Sequence, residues 1–230
     1  MVFPLRDSVR TRRRPWVTWG LIAANLLVFL GQVAAQESVY SLFELFAVVP
    51  ERTLAPGFWL ATGGWPLVTL FSSIFFHGSW VHLLGNMLYL WVFGDNVEDL
   101  LGHGRYLFFY LACGVLANMA HIFANPTSPV PTIGASGAVA GVLGAYLLSF
   151  PSARVLTLLQ LGIIIPAVPV RAWLFLAVWF GVQLFSGLSP IWAMDEAQNV
   201  AFWAHISGFI SGFALMRLLR PEPKAPLPGR

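Results

Sequence analysis

Residues 10–35 read RTRRRPWVTWGLIAANLLVFLGQVAA, a cluster of arginines followed by an uncharged apolar run. A membrane-spanning helix needs about 20 consecutive, mostly apolar residues, so residues 15–35 make a first span with a basic flank. The rest of the chain is of the same kind. Of 230 residues, 57% are hydrophobic and 10% charged, with 10 Trp and 19 Phe. A water-soluble domain carries about 25% charged residues to keep its surface wet, so the bilayer is the solvent that fits. The length leaves room for several spans but no large extra domain. The expected organisation is a basic tail at 1–14, a membrane domain at 15–220 and a Pro-rich tail at 221–230. A signal-peptide reading of residues 1–35 is weaker, because no small-residue cleavage site bounds a short apolar core.

Five further apolar segments follow, at 80–96, 106–124, 134–150, 171–188 and 200–219. Residues 36–66, with Glu37, Glu44, Glu51 and Arg52, read as an extramembrane loop with a short interfacial helix near 41–49, and Trp59 and Trp65 suit headgroup depth. A polar turn at 95–105 closes the second span, and Asn125-Pro126-Thr127-Ser128-Pro129 makes a turn-rich loop. Residues 151–170 are apolar but interrupted by Pro151, Pro166 and Pro169, and read as a connection at the membrane surface. The expected fold class is therefore an all-α polytopic membrane protein with six transmembrane helices.

Six spans put both termini on one side, and the positive-inside rule makes that side cytoplasmic. Of the 13 Lys and Arg, only Arg52 then faces out. Seven spans would move a terminal arginine cluster outward. The net charge of +3 therefore reports topology, and no nucleic-acid partner is expected. Cys113 is the single cysteine, so no internal disulfide exists, and in an apolar run it reads as a small hydrophobe.

Polar groups within a bilayer are costly and call for a reason. His82 and Asn86 on the second span, Ser136 on the fourth and His205 on the sixth each lie a few residues inside the outer end. At about 1.5 Å rise per residue they sit roughly 3–12 Å below the outer surface. Ser136 opens a helix within Gly134-Ala135-Ser136-Gly137-Ala138, followed by Gly141, and on that motif alone it reads equally well as a packing residue. His205 stands beside the small-residue seam of Ala204, Gly208 and Gly212, and alone reads as a hydrogen-bonded structural residue. Close approach of the two helices along Gly137, Gly141, Gly208 and Gly212 would pair a hydroxyl with a base able to take its proton. His82 and Asn86, four apart on one helix face, are neutral donors suited to an oxyanion. A metal site built from His77, His82 and His205 is disfavoured, because no acidic ligand lies at that depth, and no cofactor is expected.

Four ordered motifs make the chain resemble the rhomboid family of intramembrane serine proteases. They are His82-x-x-x-Asn86, Glu98-x-x-x-Gly102-x-x-Arg105, Gly134-x-Ser136-Gly137 and Ala204-His205-x-x-Gly208-x-x-x-Gly212. The resemblance covers roughly residues 15–220. It implies a six-helix rhomboid-like bundle and a Ser136–His205 dyad with no acidic third member. It also implies an oxyanion site from His82, Asn86 and the Ser136 N–H, with water reaching it from the outer face. The substrates it implies are transmembrane proteins cut in or near a span, entering beside the second and fifth spans under a cap at 189–199. Glu98, Gly102 and Arg105 are expected to form an inner-loop structural contact. Two departures accompany the match. Ala140 stands where some bacterial relatives stack a Tyr on the histidine, and the Trp-Arg pair of the first outer loop is missing.

Two rival classes are weighed against the protease. A catalytically inactive relative that binds membrane clients typically lacks the serine or the histidine, and this chain keeps both. A transporter would use an intramembrane carboxylate for ion coupling, and none is evident in the spans. Short tails and the absence of a targeting sequence favour a bacterial plasma membrane, with the site opening to the extracytoplasmic side.

Overall fold

A computed structural model describes residues 2–36, 39–159, 166–188 and 201–220. The cap at 189–199, the tail at 221–230, and residues 37–38 and 160–165 of the two connecting segments lie outside the described residues. The chain is mostly helical. Strand β1 (Val2–Asp7) precedes α1 (Trp16–Ala35), and four short helices follow: α2 (Val39–Phe46), α3 (Pro50–Leu54), α4 (Phe58–Ala61) and α5 (Trp65–Ser72). Next come α6 (Trp80–Leu101), α7 (His103–Ala124) and α8 (Ser136–Ser149). Strands β2 (Arg154–Leu159) and β3 (Ala167–Arg171) lead to α9 (Ala172–Leu188) and α10 (Phe202–Leu219).

Helices α1, α7 and α10 are each long and apolar enough to cross a bilayer, and α5 through Phe75 together with α6 makes a further pair bent by 83°. Helices α8 and α9 are apolar but shorter, 14 and 17 residues. At about 1.5 Å per residue, α8 is only about 21 Å long, less than the roughly 30 Å of a hydrocarbon core. It lies at the centre of the molecule, with every residue from Gly137 to Tyr146 buried. Phe93 packs edge-on against its Tyr146, and Tyr106, Phe109 and Tyr110 are fully buried in the same core. By contrast, large apolar side chains such as Leu27, Trp91, Phe108, Val182 and Phe185 are exposed, as expected where lipid replaces water.

The expectation of an all-α fold needs correcting, because the described residues include a three-stranded antiparallel sheet of order β1-β2-β3. The segment at 151–170 contains two strands of it, with Val155 opposite Val170 and Thr157 opposite Val168. The other edge comes from the basic N-terminal segment, with Phe3 opposite Leu158 and Asp7 opposite Val155. Pro4 has no N–H to give a ladder, which edge position tolerates, and the register shifts between Pro4 and Arg6. At the end of β1, Asp7 accepts from the Tyr146 hydroxyl on α8 and from Asn96 Nδ2 on α6. The amino terminus is thereby tied to the helix that carries Ser136.

The C-terminal end of α6 also departs from expectation. Asp95 to Leu101 continue the helix, so the polar turn shrinks to Gly102, whose φ of +76° is a glycine conformation. Glu98 does not pair with Arg105, which is exposed. Its buried carboxylate accepts from Val17 N (2.9 Å), Thr18 N (2.8 Å), Thr18 Oγ1 (2.7 Å) and His103 Nδ1 (2.6 Å). Helix α1 starts after Pro15 without a side-chain cap of its own. The first N–H groups of a helix have no intrahelical acceptors and attract negative charge. Glu98 therefore caps α1 from 80 residues away. Glu98→Ala should strand those donors and cost about 3 kcal/mol or more, read as a fall in thermal unfolding temperature in detergent micelles. Arg105→Ala should leave that temperature nearly unchanged.

Candidate functional site

Ser136 is the first residue of α8, and the chain leading to it is held on several sides. Val48 and Thr132 exchange backbone hydrogen bonds (Val48 N to Thr132 O 3.1 Å, Thr132 N to Val48 O 2.7 Å), and Glu51 N donates to Ser128 O (3.1 Å). Gly134 N donates to Ser73 O at 2.9 Å, while Asn118 Nδ2 donates to Leu70 O and Ser73 Oγ, both at 2.9 Å. The loop before the serine is thus pinned by Val48 and Glu51 and by Ser73, which α7 holds in turn through Asn118. Gly134 has φ +128°, and a Cβ there would lie 2.7 Å from His82 Nε2 and 3.7 Å from Ser136 Oγ. Only glycine lets the His82 ring lie against this turn beside the serine.

Helix α8 then runs against α10 with almost no side-chain separation. A Cβ on Gly208 would collide with the Gly137 carbonyl, and one on Gly212 with the Gly141 carbonyl. On the α7 side, a Cβ on Gly137 would come within 2.5 Å of Ala117 Cβ, and one on Gly141 within 2.5 Å of Cys113 Cβ. Small residues at four-residue spacing permit such backbone approach. The approach carries His205, one residue after Ala204, to the cavity that Ser136 faces.

That cavity measures about 1050 Å³ and is lined by His82, Asn86, Ser136, Trp179, Gln183 and His205, together with the loop at 125–133. Ser136 and His205 are half-buried there. Among the described residues no hydrogen bond joins them. His205 Nδ1 instead meets Gln183 Oε1 at 2.8 Å, and the Trp179 ring lies 6.1 Å away at a tilt of 37°. With Ala140 on α8 offering only a methyl group, the imidazole is held from α9. Asn86 is buried, with its Nδ2 3.0 Å from Nε2 of His77. His77 is itself buried, and its backbone is clasped by Gln32, which accepts from His77 N (3.1 Å) and donates to His77 O (2.9 Å). The His77 and His82 rings stand 5.0 Å apart.

Three residues of this arrangement escaped the sequence reading as site members. Gln183 had a signal, since it is an amide within the apolar helix 172–188. Trp179 lies four residues before it, hence on the same face. His77 entered only as a metal-ligand candidate, and nothing in its spacing marks it as the partner of Asn86.

The family model described as the Rhomboid domain matches residues 64–222. The chain belongs to the rhomboid family. The matched stretch contains His77, His82, Asn86, Ser136, Gln183 and His205. The Bacillus subtilis (strain 168) protein named Rhomboid protease GluP is 30% identical over 201 residues, covering 87% of this chain and 34% of that protein. Rhomboid-like protein 11, chloroplastic, of Arabidopsis thaliana is 32% identical over 158 residues, covering 67% of this chain and 53% of its own length. The Mus musculus presenilin-associated rhomboid-like protein, mitochondrial, is 27% identical over 214 residues, covering 89% and 51% respectively. The chain therefore spans between a third and about half of these relatives. Family membership and the apolar helices make this rhomboid an integral membrane protein, and proteases are named among its relatives.

Proposed function

We propose that this chain is an intramembrane serine endopeptidase with Ser136 as nucleophile and His205 as general base. The hydroxyl attacks the scissile carbonyl as its proton passes to the imidazole, and the developing oxyanion is met by the Ser136 N–H, Asn86 and His82. Imidazolium then protonates the leaving amine, and water hydrolyses the acyl-enzyme by the reverse roles. The substrates are membrane-anchored proteins cut in or near a transmembrane segment. In the same reading residues 15–220 form six spans with both termini cytoplasmic, in a bacterial plasma membrane, and the cavity opens extracytoplasmically. The helix seam at Gly137, Gly141, Gly208 and Gly212 sets the spacing of nucleophile and base.

The observation that carries this proposal is the shared cavity. A serine at a helix N-terminus, a histidine and two neutral polar side chains from three helices line one space. Exposed N–H groups at a helix start favour a developing negative charge. A second reading, a relative that binds membrane clients without cutting them, draws on the missing Ser136–His205 hydrogen bond. Catalytic hydrogen bonds are often long in unliganded sites and tighten with substrate, so the protease reading is preferred. A serine-directed fluorophosphonate separates the two without a known substrate. Labelling is expected on Ser136 in the unaltered protein and on the order of 100-fold slower in His205→Ala. Equal labelling rates would remove His205 from the role of base.

A further inference from the structure

We infer that Gln183 is a positioning residue for His205, an uncharged third member behind the serine and histidine. The inference rests on the dyad reading proposed above and adds to it how the base is oriented. An amide oxygen only accepts, so the 2.8 Å contact between Gln183 Oε1 and His205 Nδ1 places the ring hydrogen on Nδ1. In neutral imidazole the lone pair then resides on Nε2, the nitrogen left to receive the Ser136 proton. Trp179, one helical turn before Gln183, adds an aromatic ring against the same imidazole. One residue fixes the ring edge and the other restrains its face, both from α9.

The proton balance is simple. As the Ser136 Oγ–carbon bond forms, the hydroxyl proton moves to Nε2, and the Nδ1 hydrogen stays bonded to Gln183. The Nε2 proton then passes to the departing amine when the peptide C–N bond breaks. A third group that orients the base is a general device in nucleophilic catalysis, and an amide fills that place in Cys-His-Asn sites. An amide is also the cheaper choice in a membrane, where an ionised carboxylate is costly.

Tautomer and rate together test the assignment, using the full chain in detergent micelles with ¹⁵N-labelled histidine. Two-bond and three-bond ¹H–¹⁵N correlations are expected to show His205 with its hydrogen on Nδ1. In Gln183→Met, which keeps the length and removes the acceptor, the hydrogen should move largely to Nε2. The same Nδ1 tautomer in both proteins would overturn the proposal, and this readout needs no substrate. With a transmembrane substrate, Gln183→Met should lower kcat by about 10- to 100-fold, with KM nearly constant. Gln183→Glu should recover most of that rate and move the acid limb of the kcat/KM profile to higher pH, because a carboxylate beside Nδ1 favours imidazolium. Among the described residues, the titratable groups acting on His205 are His82 on α6 and His121 on α7, and neither is altered by these variants. An unchanged kcat in Gln183→Met would overturn the role. Cleavage by Ser136→Ala would instead remove the nucleophile, while the tautomer measurement would still decide Gln183.

Discussion

Ser136→Ala is expected to abolish cleavage of a transmembrane substrate while the protein still folds. The hydroxyl has no hydrogen-bond partner among the described residues, so its loss strands no other polar group, and the thermal midpoint should stay near that of the unaltered protein. Activity should fall on the order of 10⁴- to 10⁶-fold, the scale on which nucleophilic serines are felt. His205→Ala should fall by a similar factor, and the double variant should be little worse than either single one, because nucleophile and base act as a unit. The check is a cleavage assay in proteoliposomes, with the thermal midpoint measured on the same preparations. Near-normal cleavage by Ser136→Ala would end the proposed mechanism. Additive losses in the double variant would mean that the two residues do not act in one step.

The second large effect concerns the seam between α8 and α10. Gly212→Ala places a methyl carbon onto the Gly141 carbonyl, and Gly208→Ala places one onto the Gly137 carbonyl. Neither acceptor is the end of a flexible side chain, so a helix must move. Overpacking of this kind costs about 1–3 kcal/mol, occasionally more. The catalytic consequence should be larger than the structural one. A displacement of about 1 Å between reacting groups can cost about 100-fold in rate, and the shifted helix is the one that bears His205. Gly212→Ala should therefore lose activity out of proportion to its change in thermal midpoint. Gly181→Ala is the control, since a Cβ there meets nothing within 4 Å, and it should be near neutral in both measurements. Equal behaviour of the two variants would show that α8 and α10 are looser than their backbones indicate.

Local sequence was informative wherever a property resides in one helix. The uncharged run at 15–35 needs only its own composition to be read as a span, and α1 covers nearly the same residues (Trp16–Ala35). The polar residues His82, Asn86, Ser136 and His205 stood out because each is unusual in its own apolar segment, and all four line one cavity. The four-residue spacing of Gly208 and Gly212 is likewise visible in a single helix. The sheet was not legible in this way. Strand β1 is short, contains Pro4, and gains its partners only when residues 154–159 are brought beside it.

What the sequence determined by itself was that the chain dissolves in a bilayer, that its helices pack through small residues, and which few polar side chains needed a reason to be there. Composition and helical periodicity are sufficient for each of these. Tertiary structure alone decided the partners: Glu98 with the start of α1 instead of Arg105, His77 with Asn86, and Gln183 with His205. A hydrogen bond depends on position to within a few tenths of an ångström, and between different helices that position follows from how the whole bundle packs. Ala140 posed the question of what holds the imidazole. The answer lies 22 residues before His205, on α9, where only the fold brings Gln183 and the histidine together.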